Sequence, residues 1–239
     1  MAKMTLDELT AQLTRAHGSD LTAVVLYGSA ARGEEVTARS DLNVLVIVRS
    51  LSNAALRAAA SAAESWGKAG NPPPLIMTDA EWASSRDVFA IEFADILERH
   101  KVLAGALPAG PSTVDAAHLR RQLEFESMGK LIRLRQGILA CAGDQKRELA
   151  LLAATKSAVL VLFRTLLRVH GESAPDTPEA VVRRAASLAG FDAGPFVEVV
   201  AHARGEATIP TSRADAVLEA YHLGLQKFVA HVDALVHPH

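Results

Sequence analysis

Two short apolar runs, residues 21–27 (LTAVVLY) and 42–48 (LNVLVIV), are rich in β-branched residues and bounded by polar stretches, the pattern of core strands. Ahead of them, residues 5–17 carry Leu6, Leu9 and Leu13 on one helical face, with Thr5 placed to cap and Glu8 three positions on. Residues 52–66 are alanine-rich and read as a helix that stops near Gly67 and Gly70. Asn71-Pro72-Pro73-Pro74 then turns the chain into a third apolar run at 75–78, followed by a short helix at 79–84. Residues 89–96 (FAIEFADI) fit either period. We read them as a strand running into a helical turn, with Phe89, Ile91 and Phe93 on one face and Glu92 on the other. Helices and strands alternating in this way predict a sheet layer covered by helices.

The pattern changes after residues 107–112 (LPAGPS), where two prolines and a glycine mark a boundary between domains at 1–108 and 113–239. Beyond it only helical periodicity is found, at 114–142, 147–169, 177–189, 194–204 and 215–236. On the first of these, Leu119, Leu123, Phe125, Leu131, Ile132, Leu134, Ile138 and Leu139 mark the apolar side. Thr177-Pro178 and Gly194-Pro195 open the third and fourth helices, and short connections predict antiparallel packing as a bundle.

The chemistry sits at the strand ends. Gly28-Ser29 closes the first apolar run, and Ser40-Asp41 opens the second. A glycine lets the backbone approach a ligand, and a serine starting a short helix at 30–32 offers a hydroxyl and free amides to an anion. Asp41 then lies where it can hold a cation against a phosphate. This succession, Gly28-Ser29, eleven residues, then Asp41-Leu42-Asn43, with Arg32-Gly33 and Ser40 in between, resembles the signature of the DNA polymerase β-like nucleotidyltransferase superfamily. Its pattern ends in two acids separated by one apolar residue, and here Asn43 stands in the place of the second acid.

The resemblance implies an α+β protein: an N-terminal nucleotidyltransferase-fold mixed sheet with flanking helices, followed by an all-α antiparallel helical bundle that holds the acceptor. It implies transfer of a nucleoside monophosphate from an NTP, taken here as ATP, to a hydroxyl of a small-molecule or macromolecular acceptor. Mg²⁺ or Mn²⁺ would be held by Asp41, Asn43 and Glu92, with Asp41 and Glu92 in catalysis and Gly28, Ser29, Arg32 and Ser40 on the nucleotide. Ile91-Glu92-Phe93-Ala94-Asp95 looks like the late strand that carries a third carboxylate in similar enzymes; Asp95 is the alternative to Glu92. Asn43 also opens a rival reading, a lapsed enzyme that binds nucleotide or a partner.

Composition narrows the partners. A net charge of −2 gives no bulk attraction for nucleic acid, which favours a small acceptor over a long template. Nothing in residues 1–8 reads as a signal peptide, and the apolar run at 149–163 contains Lys156 and is shorter than a bilayer span, so a cytoplasmic protein without membrane contact is expected. Related bundle-bearing enzymes sometimes dimerise, which makes a homodimer an expectation here too. Cys141 has no partner for an internal disulfide and suits helix packing. Arg120, Arg121, Lys130, Arg133 and Arg135 read as a solvated helix face with Glu124 and Glu126 as partners. Arg164 and His170 have the Arg-then-His order of HEPN-type ribonucleases, but six helical residues place them on different faces, and His170 suits a helix C-terminus.

Overall fold

The computed structural model describes residues 3–32, 42–109 and 113–236. Contacts divide the chain into two compact units, Met1–Val114 and Asp115–His239.

The first unit is built on a four-stranded sheet. Its strands are β1 (Leu21–Tyr27), β2 (Asn43–Val48), β3 (Leu75–Thr78) and β4 (His100–Gly105), in the order β3-β2-β1-β4. β1 runs antiparallel to both β2 and β4, whereas β2 and β3 are parallel. Both faces of the central pair are covered, which is why their sequences are continuous apolar runs rather than alternations. On one face Val24, Leu26, Val44 and Val46 pack with Leu9 and Leu13 of α1 (Leu6–His17) and with Ala62 and Trp66 of α2 (Asn53–Lys68). On the other face Ala23, Val25, Leu45 and Ile47 meet Trp82 of α3 (Asp79–Ser84) and Phe93 and Ile96 of α4 (Ala90–Glu98). Thr5 and Thr78 each form a complete capping box, with Glu8 and Glu81, so α1 and α3 start where the sequence places them. β4 lies against β1 so closely that a Cβ on Gly105 would stand 2.0 Å from the Thr22 carbonyl oxygen, and Gly105 has φ +70°. Only glycine fits there.

The strand expected at 89–96 is a helix. Phe89, Phe93 and Ile96 recur every three or four residues, and Phe93 stacks on Trp82 at 4.3 Å between ring centres. That packing fixes the helical period, while the edge strand forms at His100–Gly105. Glu92 therefore projects from a helix above the sheet and not from a strand within it.

The second unit is all helical: α5 (Ala116–Cys141), α6 (Gln145–Val169), α7 (Pro178–Ala189), α8 (Gly194–Arg204) and α9 (Ala214–Val236). α6 is the central helix, packed against each of the others. Phe163 on α6 meets Phe191, Phe196 and Phe228 with ring centres 5.0–5.3 Å apart. Among the described residues α6 is the one helix long and apolar enough to cross a membrane by length and composition, and it outruns the apolar stretch at 149–163. Leu152, Leu162, Leu166 and Leu167 on it are buried in the bundle, as the centre of a helix bundle requires. Arg164 is buried, whereas His170 is the exposed C-cap, stacked on His231 at 5.8 Å. On α5 the buried face is Leu119, Leu123, Leu131 and Leu134. Phe125, Ile132 and Leu139, expected on the same side, are exposed instead because they lie on a second stripe around the helix.

Candidate functional site

The C-terminal end of β1 gathers the candidate residues. Tyr27 is its last residue, paired across the sheet with Asn43, the first of β2, and with His100, the first of β4. Alternation puts all three on the face covered by α4. His100 Nδ1 lies 2.7 Å from the carbonyl oxygen of Ile96, which joins the start of β4 to the end of α4. Glu92 and Asp95 are carried by the same helix, Asp95 buried and Glu92 half-buried. Burial raises the Tyr27 phenol above its ordinary value, and the negative charges of Glu92 and then Asp95 raise it further. Two carboxylates thus act electrostatically on one phenol at the end of the central strand.

Gly28 follows with φ +82°, the left-handed region that glycine enters without strain. A Cβ there would stand 3.0 Å from Asn43 Nδ2, so the glycine also leaves room for the Asn43 amide. The backbone then makes one tight 3₁₀ turn at Ser29–Arg32, closed by the Ala31 amide donating to the Gly28 carbonyl at 3.2 Å. The short helix expected at 30–32 is this single turn. It is too short to build a helix dipole, so an anion at this point would be bound by individual amides. Ser40 and Asp41 lie outside the described residues. The residue after Asp41 is anchored, because the Leu42 amide donates to Asn71 Oδ1 at 3.0 Å.

Gly28, Asn43 and Glu92, three of the residues expected at the site, sit on elements that meet at one end of the sheet. The structure adds Tyr27, His100 and Asn71, which sequence reasoning missed. Tyr27 reads as the last apolar residue of a strand, and Asn71 as part of a proline break. No short-range signal ties either to the turn. Among the described residues no group of three or more His, Cys, Asp or Glu side chains stands close enough to hold a metal ion. The donors at this end of the sheet, Glu92, Asp95 and the Asn43 amide, are oxygen ligands of the type a hard divalent cation takes.

A mixed sheet covered by helices on both faces, followed by an all-helical unit, is an α+β architecture. In particular, the chain is similar to the solved structure of a spectinomycin adenyltransferase from Enterococcus faecialis, determined with ATP and spectinomycin. The TM-score is 0.61, over 94% of this chain and 96% of that one, and the identity is 12%. At that identity the likeness is one of fold. No protein-family profile and no curated protein matches the sequence.

Proposed function

We propose that the protein is a metal-dependent nucleotidyltransferase that moves a nucleoside monophosphate from an NTP, ATP first, to a hydroxyl of a small acceptor. One observation carries the reading. The Gly28 turn, the Asn43 amide and the acids of α4 converge on the end of β1. The fold similarity to an adenyltransferase solved with ATP and a small molecule supports it, and so does the succession Gly28-Ser29 … Asp41-Leu42-Asn43.

In this reading Gly28 and Ser29 present backbone amides to the phosphates, with Arg32 and Ser40 beside them. Asp41, Asn43 and Glu92 are the residues that would hold Mg²⁺ or Mn²⁺, and the ion would neutralise phosphate charge as the transferred group changes partners. The acceptor oxygen attacks the α-phosphorus, the bond to the bridging oxygen breaks, and pyrophosphate leaves. Glu92, or Asp95 one turn along α4, accepts the hydroxyl proton. Tyr27, neutral at physiological pH and near enough to these carboxylates for their charge to act on it, can donate its phenol proton to the acceptor or to a carboxylate. We place the protein in the cytoplasm, where ATP and Mg²⁺ are abundant.

A second reading is favoured by Asn43. A neutral amide where the superfamily pattern has an acid weakens the hold on a divalent ion, and the protein would then bind nucleotide without turnover. The full chain, incubated with labelled NTPs, MgCl₂ or MnCl₂ and a panel of hydroxyl acceptors that includes spectinomycin, separates the two. Acceptor-dependent label transfer with pyrophosphate release supports the enzyme. Tight nucleotide binding without transfer to any acceptor supports the lapsed form.

A further inference from the structure

Helix α5 has two apolar faces. One is buried in the bundle. The other carries Phe125, Met128, Ile132 and Leu139, which are 76%, 45%, 46% and 80% exposed. They recur at spacings of three, four and seven residues, the rhythm of a helix that lies along another helix. One exposed Phe or Leu is ordinary, whereas a stripe of them along one helix is an interaction surface. Gly129 borders the stripe in mid-helix, where glycine costs about 1 kcal/mol relative to alanine. A Cβ there would meet nothing within 4 Å, so no neighbour inside the chain requires the glycine. A missing side chain at that point lets a second helix come closer.

The charges beside the stripe indicate what covers it. Outward from Gly129-Lys130, Glu126 mirrors Arg133 and Glu124 mirrors Arg135, acid on one side and base on the other. On a helix Glu126 and Arg133 fall on one flank of the stripe, and Glu124 and Arg135 on the other. A second α5 laid antiparallel across the stripe, with a two-fold axis near Gly129, sets Glu126 opposite the partner's Arg133 and Glu124 opposite the partner's Arg135. The two-fold then repeats both pairs in reverse. A parallel arrangement in register opposes like charges instead. These four charges are self-complementary in one orientation only.

We infer that the exposed face of α5 is a self-association surface on which a second copy of this chain docks antiparallel, forming a two-fold dimer. The inference is independent of the nucleotide site. A helix of 26 residues is about 39 Å long, enough for an interface at the lower end of the specific range. The expected dimer is therefore a weak one, with a Kd of about micromolar order.

Sedimentation equilibrium on the full chain, over about 1–100 µM to bracket that Kd, tests it. The mass should rise from 25.4 kDa toward twice that value. Ile132→Glu should leave a monomer throughout. Glu126→Arg and Arg133→Glu should each weaken the dimer by about tenfold or more, since each opposes like charges across the two-fold. The double variant Glu126→Arg/Arg133→Glu should recover most of the loss. Glu126 also pairs with Lys130 at 3.2 Å within the helix, so melting curves of each variant separate lost folding from lost association. Residues 126 and 133 are two turns apart and do not touch within one chain, so recovery in the double variant reports the contact between copies. A wild-type monomer at every concentration overturns the proposal. So does a dimer indifferent to Ile132→Glu, or a charge swap without recovery.

Discussion

Tyr27, Gly28 and Asn43 form a small coupled set at the end of β1. Gly28 at φ +82° leaves the space that Asn43 Nδ2 occupies, and Tyr27 is the cross-strand neighbour of that same asparagine. The Tyr27 phenol is raised above 10, so tyrosine is neutral in both folded and unfolded chains below that pH and its contribution to stability is complete there. Above pH 10 the unfolded chain ionises first, and stability falls as pH rises through the folded-state value. Tyr27→Phe should flatten part of that alkaline loss, read as urea midpoints between neutral pH and the alkaline limb. Asn43→Asp places a further carboxylate beside a group already flanked by Glu92 and Asp95. Without metal the variant should melt below wild type through like-charge repulsion. With MgCl₂ it should gain more than wild type does, since a charged oxygen binds a divalent ion better than an amide oxygen. Paired melts with and without MgCl₂ check this, and an unchanged gain places residue 43 away from the metal. Gly28 and Asn43 stood out in the sequence because they belong to the succession Gly28-Ser29 … Asp41-Leu42-Asn43. Tyr27 was not, because an aromatic ending an apolar run looks like core.

Among the elements, α4 decides whether the acids are in place. Phe93 and Ile96 seat it on the sheet, and Phe93 stacks on Trp82 of α3. Removing the Phe93 ring should cost about 3–5 kcal/mol, as large buried aromatics do, and should release the segment that carries Glu92 and Asp95. Phe93→Ala is therefore expected to lower nucleotide affinity as well as the chemical-denaturation midpoint. A variant that melts early yet binds nucleotide normally would separate α4 from the site. This helix is also where the sequence misled. Eight residues with apolar and acidic positions intermixed satisfy both periods, and the choice is made by Trp82, eight positions before Ala90, the first buried residue of the helix. Capped helices suffered no such ambiguity. Thr5, Thr78 and Thr177 each bond the amide three positions on, a local interaction that residue types alone announce.

At the scale of the molecule, two units of different construction follow one another, and each one's core was readable from hydrophobic periodicity. Which face of α5 is buried was not, because that helix carries apolar residues on two sides and only its neighbours α6 and α9 select between them. The same limit applies to the site: the sequence offers the turn and the acids, while their convergence depends on β1 lying between β2 and β4. The claim that this convergence is a nucleotide site is tested most directly by calorimetric titration of Mg²⁺-ATP into the full chain and into Gly28→Val. Valine is excluded from φ +82° and its Cβ would crowd the Asn43 amide, while the rest of the sheet is untouched. Wild type should bind Mg²⁺-ATP, and a Gly28→Val protein that retains its helical circular dichroism and cooperative melt should bind it at least about tenfold more weakly, a loss of about 1.4 kcal/mol or more. A folded Gly28→Val protein that binds Mg²⁺-ATP as wild type does, or a wild type that does not bind it, would contradict the account.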